Sequence, residues 1–329
     1  MGTDENPVGI PAVERDRPDA LAVCAIFQDE ARYLAEWIEF HLLMGVEHFV
    51  LYDNDSEDGP EAVLGPYIDA GLVTLVPWPH SFEEFAQIKA YNHCLETFGA
   101  RFRWIAMIDV DEFLFAPDGR PLGQVLADFP DVPAVVVHWQ VYGSSGHVEA
   151  PDGLVIEQFT RRAPTSWVRN RRLKSIVDPR RTQAFVSPHF ALYRDGARAV
   201  SENGVPCTVR FRNRAHASRL MVTWRRLLNG IGRRLIGRFP MLPWDPFNWT
   251  PHNLRTVSVD RLRINHYAVK SLNQYRDRTR RRRIPGQVGS GRRVHNAVRF
   301  RYHDRNEVED PVLKRWAEEV RRNLASRRR

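Results

Sequence analysis

The sequence predicts an α/β protein with a mixed, mostly parallel sheet flanked by helices. Two observations support this prediction. Short apolar runs alternate with segments in which apolar residues recur at helical spacing. Acidic residues directly follow several of the apolar runs. In open α/β sheets, the carboxyl ends of the strands are where ligands bind.

The alternation is clearest in the first 150 residues. In chain order the predicted elements are strand 20–28, helix 29–45, strand and acidic loop 48–59, helix 61–71, strand 72–78, helix 82–99, strand 104–109 and strand 134–142. Leu34, Trp37, Ile38 and Leu42 show the helical spacing of the first helix. Gly45 is its predicted stop, because glycine accommodates the left-handed backbone that ends many helices.

The second half has a looser pattern. Short strands and turns are predicted at "KSIVDP", "FVSPHFALYRDG" and "CTVRFRNRAH", and a strand at "LRINHYAVKS" leads into a helix at "LNQYRDRTRRRRI". Residues 218–239 combine an apolar stripe with arginines and predict an amphipathic helix. That helix either lies on a membrane surface or packs on its own domain. The chain ends in a basic helix that we expect to fray.

The net charge of +8 conceals a division between the two halves. Residues 1–150 hold 26 acidic and 7 basic residues, whereas residues 151–329 hold 14 acidic and 41 basic ones. The basic half favours an anionic partner such as substrate phosphates, nucleic acid or anionic lipid. The acidic half argues against nucleic acid wrapping the whole protein, and it supplies carboxylates for a divalent cation.

Cysteine usage and the first residues predict a location in the cell. The three cysteines are dispersed and form no CxxC pair, which is typical of a reducing compartment. Residues 1–19 lack the features of a signal peptide and predict a disordered leader. We therefore expect a cytoplasmic protein, peripheral at the inner face of the membrane if residues 218–239 lie on lipid.

The segment "WIAMIDVDEFLF" (residues 104–115) places carboxylates inside an otherwise apolar run. In a regular strand Asp109 and Asp111 would face the same side, so at a strand end both could reach one ion. Mg²⁺ and Mn²⁺ prefer oxygen ligands and often share them with substrate phosphates. The alternative is a solvated turn. Because burying an unpaired carboxylate costs several kcal/mol, the apolar flanks favour a metal site.

Eight stretches in order carry a resemblance to a known family. They are "FQDEARYLAEWIEFHLLMGVEHFVLYDNDSEDG", "QIKAYNHCL", "WIAMIDVDEFLF", "YGSSGH", "GLVIEQFTRRAP", "KSIV", "LRINHYAVKS" and "HDRNEVED". Together they resemble family-2-like and family-92-like glycosyltransferases of the GT-A fold, over roughly residues 20–215 and 255–312. The resemblance implies a nucleotide-sugar donor, Mn²⁺ or Mg²⁺, and transfer of a sugar to the hydroxyl of a saccharide or lipid-linked acceptor, without nucleic acid as a partner.

The resemblance also implies roles for particular residues. The metal ligands would be Asp109, Asp111 and His266, and Asp109 would also contact the donor. The other donor-binding candidates are Asp29, Glu30, Asp53, Asn54, Asn92 and Lys174. The family usually has Asn where this chain has Asp29. Several candidates also have a structural interpretation: turn formers at 53–55, a helix-surface residue at 92, a satisfied structural histidine at 266 and a solvated lysine at 174.

The same resemblance divides the chain. Residues 1–19 are a leader, 20–215 the nucleotide-sugar-binding and catalytic core, 216–255 a basic amphipathic insertion, 256–312 the rest of the catalytic domain and 313–329 a basic helical tail. It implies an inverting transfer in cell-surface polysaccharide or glycolipid synthesis. Such a transfer needs a general base, for which Glu202, His147 and Asp304 are candidates; the alternative for each is a surface-loop role.

Two other functions compete with this one. A phosphohydrolase of the haloacid-dehalogenase type also has D-x-D after an apolar strand, but on its first strand, whereas here the motif follows the fourth. A nucleic-acid-binding protein would use the basic half, where aromatic residues alternate with arginines in "RRAPTSWVRNRR". The sequence shows no recognisable nucleic-acid module, and this alternative leaves the acidic residues without a role.

Overall fold

The computed structural model describes residues 20–80, 85–207, 254, 256–281 and 291–327. The predicted leader and the amphipathic segment 218–239 lie outside the described residues, as does all of 216–255 except Leu254. Among the described residues, no helix is both long and apolar enough to cross a membrane.

Most predicted elements are confirmed within a few residues of their bounds. The strands are β1 (Leu21–Phe27), β2 (His48–Asp53), β3 (Val73–Pro77), β4 (Trp104–Met107), β5 (Glu112–Phe115), β6 (Ala134–Val141), β7 (Arg161–Arg162), β8 (Leu173–Val177), β9 (Thr182–Ser187), β10 (Phe190–Tyr193), β11 (Val200–Ser201), β12 (Arg263–His266) and β13 (Val308–Glu309). The α-helices are α1 (Ala31–Leu43), α2 (Pro60–Asp69), α3 (Ala86–Phe98), α4 (Leu122–Leu126), α5 (Val155–Gln158), α6 (Leu272–Arg281), α7 (Gly291–His303) and α8 (Ala317–Arg327).

The main sheet has nine strands in the order β3-β2-β1-β4-β8-β6-β12-β5, with β11 paired to β6. Strands β3, β2, β1 and β4 run parallel, and β12 and β11 run parallel to β6. The antiparallel pairs are β4–β8, β6–β8 and β12–β5. This mixed, mostly parallel sheet confirms the predicted GT-A-type α/β fold class.

Both faces of the sheet are covered, because side chains alternate along each strand. On β1, Val23 and Ala25 pack into a core that includes Trp37 of α1, and Cys24 packs into a second core with Tyr91 of α3. All five are fully buried. Burying a large apolar side chain contributes about 1.5–3 kcal/mol, so the two cores fix the sheet between its helices.

The first helix ends as the sequence predicts. Gly45 has a φ of +87°, a backbone conformation that side-chain-bearing residues rarely adopt. A Cβ at this position would lie 3.2 Å from Cβ of Pro121. Only glycine therefore satisfies both the turn and the close approach of the neighbouring loop.

The last helix differs from the expectation. Instead of fraying, α8 docks on α1, with Ala317 and Val320 buried in the main core. Arg327 Nε lies 3.2 Å from Oε1 of the buried Glu39. Apolar contacts that the sequence pattern does not reveal therefore hold the basic end of the chain in place.

Candidate active site at the carboxyl edge of the sheet

The "WIAMIDVDEFLF" segment is two strands separated by a turn, whereas the shared face expected for its two aspartates requires the geometry of a regular strand. Strand β4 ends at Met107, β5 begins at Glu112, and the Glu112 backbone N–H donates to the Asp109 carbonyl at 3.0 Å. β5 then leaves β4 and pairs with β12. The expectation that Asp109 and Asp111 share one face is wrong, because the backbone reverses between them.

Asp109 is held by groups from α3 and β8. Its Oδ1 accepts from Gln87 Nε2 at 2.6 Å and pairs with Lys174 Nζ at 2.8 Å. Burial lowers the pKa of Lys174, but Asp109 and Glu112 raise it by more, so its pKa lies above the ordinary value and the ammonium stays charged. Lys174 is thus a buried counter-ion of the aspartate, not a solvated lysine.

Asp111 faces β12 and α6 instead. Its Oδ1 lies 3.4 Å from His266 Nε2 and its Oδ2 lies 3.3 Å from Arg278 NH1. Burial acts to raise the pKa of Asp111, but His266, Arg278 and Lys270 outweigh it, and the pKa lies well below its usual range. The carboxylate is therefore ionised at neutral pH.

Three neighbouring side chains could hold a divalent cation. Ligand atoms of Asp111, Glu112 and His266 lie within 4.8 Å of one another. Within the described part of the chain, Glu112 Oε1 and His266 Nδ1 are buried without a hydrogen-bond partner. Two carboxylates and an imidazole suit Mn²⁺ or Mg²⁺, so these residues fit the ion that the sequence predicts. Asp109 is not in this group.

Glu112 is a fully buried carboxyl whose pKa is shifted by its surroundings. Burial raises its pKa well above the ordinary value, Lys174 lowers it, and Asp109 and Asp111 raise it further. Its Oε2 accepts from the Asp109 backbone N–H at 3.1 Å and lies 3.7 Å from Lys174 Nζ. A fully buried carboxyl with one unpartnered oxygen is the kind of group that a cation would satisfy.

The loops after β1 and β2 are tied together. Asp29, at a φ of +54°, accepts from the Glu57 N–H at 2.8 Å, and its own N–H donates to Ser56 Oγ at 3.0 Å. The Ala31 N–H donates to Asp58 Oδ2 at 2.8 Å. These bonds fix the loop that carries Glu30, the second donor-binding candidate on this loop.

A cleft of about 460 Å³ separates this loop from the chain after β12. Residues 28–33 line one side, residues 268–270, 273–275, 277 and 278 line the other, and Asp58, Glu149 and Ala150 complete it. Glu30 is buried and pairs with Lys270 and Arg278 across the cleft. Because Arg278 also contacts Asp111, the cleft adjoins the candidate metal ligands.

Three donor-binding candidates make structural contacts. Asp53 Oδ1 accepts from the Ser56 N–H at 3.0 Å, which closes a turn, and Asn54 Oδ1 accepts from the His80 N–H at 3.2 Å. Asn92 bonds both backbone groups of Phe185, at 2.6 and 3.1 Å, and so ties α3 to β9. None of these contacts reaches Asp109 or Asp111.

The general-base candidates are also engaged in holding the fold. Glu202 is fully buried, and its Oε2 accepts from the backbone N–H groups of Arg261 at 2.6 Å and Leu262 at 3.3 Å. Its Oε1 accepts from the Ser258 hydroxyl. Such a carboxylate anchors the chain that enters β12, and none of these bonds leads to Asp111.

The other two general-base candidates, His147 and Asp304, also make contacts that hold the fold together. His147 Nε2 lies 3.0 Å from the Gln158 carbonyl. Asp304 Oδ1 accepts from the Ser144 N–H at 2.6 Å, and a Cβ on Gly143 would lie 2.4 Å from the Arg305 carbonyl oxygen. Asp304 thus locks the "YGSSGH" loop to the "HDRNEVED" segment.

Sequence reasoning missed several residues of the site. Glu112 is itself a candidate metal ligand, and Gln87, Lys270 and Arg278 each contact a carboxylate described above. Three of them lie inside stretches that carry the resemblance, which is the signal that could have found them. Arg278 lies in an arginine-rich helix, and nothing in that pattern distinguishes it from its neighbours.

Curated plant proteins match parts of this chain. A family 92 glycosyltransferase of Ricinus communis is 31% identical over 199 residues, 58% of this chain and 35% of the relative. A galactan β-1,4-galactosyltransferase of Arabidopsis thaliana is 30% identical over 110 residues, 30% of this chain and 20% of the relative. The chain thus spans about a third or less of the length of these relatives.

Solved structures match weakly. S. aureus TarS in complex with UDP covers 49% of this chain and 47% of that chain, at 13% identity and a TM-score of 0.32. Glucosyl-3-phosphoglycerate synthase from Mycobacterium tuberculosis covers 36% and 44%, at 17% identity and a TM-score of 0.26. TM-scores this low support no conclusion about substrate or mechanism.

A protein-family model matches the first part of the chain. The model described as glycosyltransferase family 92 matches residues 19–205, which include β1 to β11 and the turn that carries Asp109 and Asp111. The match covers more than half of the chain and agrees with the resemblance found in its motifs. This chain belongs to glycosyltransferase family 92.

Proposed function

We propose that this protein is a metal-dependent glycosyltransferase. It would transfer a sugar, with inversion, from a nucleotide-diphosphate sugar to a hydroxyl of a saccharide or lipid-linked acceptor. The observation that carries the proposal is the convergence of Asp111, Glu112 and His266 beside a cleft lined by Lys270 and Arg278. Family membership supports glycosyl transfer, and the named galactan galactosyltransferase relatives suggest a polysaccharide acceptor.

The metal ligands of the proposal are Asp111, His266 and Glu112. A divalent ion, when bound, neutralises charge on the departing diphosphate. Asp111 and His266 come from different strand ends, β4–β5 and β12, so the fold fixes their separation before any ligand arrives. That pre-formed geometry reduces the reorganisation needed at the reacting bond.

Asp109 has a separate role in the proposal. Lys174 and Gln87 engage its Oδ1, and about a third of its side chain (32%) is exposed. We infer that the exposed part of this carboxylate orients the donor, while the ion pair with Lys174 holds it in position. Lys174 would then act on the donor through Asp109 and not by touching a phosphate.

The cleft is the proposed entry for the nucleotide part of the donor. Its walls combine the aromatic ring of Tyr33 with the cations Arg32, Lys270 and Arg278. The lining also carries carboxylates, among them Glu149 and Asp277. Within it, the ring suits a base and the three cations suit an anionic diphosphate. The general base, the cytoplasmic location and membrane contact through residues 218–239 stay predictions from the sequence.

A thermal-shift screen of nucleotide-sugars with and without Mn²⁺ tests the proposal. We expect a uridine or guanosine diphosphate sugar to raise the melting temperature only with metal, and Asp111→Asn to abolish that shift. Asp118→Asn is the matched control, because Asp118 is an exposed loop aspartate paired with Arg120. An equal shift in the Asp111 variant and the wild type would refute the metal assignment.

The competing functions give different results. A phosphohydrolase would cleave a generic phosphate ester without any acceptor. A nucleic-acid-binding protein would bind DNA or RNA with an affinity that falls steeply with salt, and would show no nucleotide-sugar shift. Either outcome would replace the proposal.

A further inference from the structure

A single guanidinium lies between two carboxylates at the candidate site. Arg278 NH1 is 3.3 Å from Asp111 Oδ2 and 3.5 Å from Glu30 Oε1. Its NH2 donates to the Ala268 carbonyl at 2.6 Å, which fixes the plane of the group. Arg278 therefore occupies one oxygen of a proposed metal ligand.

Lys270 completes this pattern. Its Nζ lies 3.5 Å from Glu30 Oε2 and 4.0 Å from the centre of the Tyr33 ring. The side chains of Lys270 and Glu30 are only 6% and 9% exposed. The two carboxylates and the two cations balance in charge, in a region where water screens charges weakly.

This balance has a consequence for metal binding. A divalent ion that takes Oδ2 of Asp111 displaces Arg278. Its two positive charges then lie beside Arg278 and Lys270, and the carboxylate of Glu112 offsets at most one of them. The Arg278 guanidinium can move from Asp111 to Glu30 over a short distance, because its NH1 already contacts Glu30. An anion that arrives with the ion offsets the repulsion between the ion and these two cations.

We infer that Arg278 is a placeholder cation at the metal site, which makes binding of the metal and of a nucleoside diphosphate mutually dependent. The inference rests on the proposed function, in which Asp111 is a metal ligand. Arg278 occupies Asp111 when the metal is absent. When metal and diphosphate bind together, the guanidinium is released toward Glu30 and the diphosphate in the cleft.

Titration with Mn²⁺ tests this, with free Mn²⁺ followed by electron paramagnetic resonance, without and with saturating UDP. In the wild type we expect UDP to tighten Mn²⁺ binding by about tenfold or more, within the usual range of coupling between two sites. In Arg278→Gln, Mn²⁺ alone should bind about tenfold tighter than in the wild type, and the effect of UDP should shrink by a similar factor. By reciprocity, Mn²⁺ should strengthen UDP binding less in this variant.

Two further variants make the result specific. Arg276→Gln removes the same charge from the same helix at a position whose guanidinium bonds Asn273, so both constants should match the wild type. Arg278→Lys keeps the charge and should keep most of the coupling. It also provides a second measurement if the Gln variant folds poorly, which a melting curve shows.

The measurements distinguish failure of the placeholder role from failure of the proposed function. If Arg278→Gln and Arg278→Lys have the same Mn²⁺ constants as the wild type with and without UDP, the placeholder role is overturned and the proposed function stands. If Asp111→Asn binds Mn²⁺ as tightly as the wild type in the presence of UDP, the metal site of the proposed function is wrong. The inference fails with it in that case.

Discussion

Replacing Lys174 with methionine tests the idea that a buried lysine keeps Asp109 in place. Methionine has a similar length and no charge, so the substitution removes the ammonium while preserving most of the packing. The Lys174 side chain is 1% exposed and its Nζ lies 2.8 Å from Asp109 Oδ1. The variant therefore leaves Asp109 with only the hydrogen bond from Gln87 and a weaker contact from Tyr91.

The expected loss follows from the burial of the pair. Removing one partner of a buried ion pair costs about 3–5 kcal/mol. Asp109 is about a third exposed (32%), so water compensates part of this loss. We expect the free energy of unfolding to fall by about 3 kcal/mol, at the low end of the range. The double variant Lys174→Met/Asp109→Asn should recover at least about 1 kcal/mol, because it removes the unpaired charge at position 109.

Urea denaturation at pH 7.5 measures these differences. Lys314→Met is the control, since Lys314 is an exposed lysine on the 3₁₀ turn before α8, and it should change stability by no more than about 0.5 kcal/mol. A loss under about 1 kcal/mol in Lys174→Met, or a double variant less stable than the single one, would refute the counter-ion argument.

Two further predictions concern a carboxylate and an imidazole. Glu202→Gln should lower stability by about 1–3 kcal/mol, because Glu202 accepts from the Arg261 backbone N–H. Its kcat should stay within a few-fold of the wild type; a fall of about 10²–10⁴-fold would instead identify Glu202 as a general base. His41 is fully buried, bonded through Nδ1 to the Trp37 carbonyl and through Nε2 to the Leu114 N–H, and burial lowers its pKa to about 3. Between pH 6.5 and pH 3 the unfolded chain therefore binds more protons at His41 than the folded protein does. The stability that neutral His41 supports is fully present above pH 6.5 and is lost as the pH falls, by about 2 kcal/mol at pH 5. Unfolding of the wild type and of His41→Asn at pH 8 and pH 5 checks this; an equal pH dependence in the two proteins contradicts it.

Local patterns in the sequence determined the α/β class and the family. Helical spacing around Trp37, the stop at Gly45 and the apolar run of β1 depend only on neighbouring residues, and each is found as predicted. The "IDVDEF" motif and the late histidine also sit at the carboxyl edge of the sheet, because parallel strands place their ends together. Eight motifs in order carried the resemblance to the glycosyltransferase family, and the family model confirms it.

Only the tertiary structure decided which partners these residues have. The sequence paired Asp109 with Asp111, but the turn between β4 and β5 sends one carboxylate to Lys174 and the other to His266 and Arg278. Each of these partners lies more than sixty residues from its aspartate along the chain. Such contacts depend on how distant strands are ordered in the sheet and on which charges burial forces to pair, and no periodicity in a single sequence encodes either.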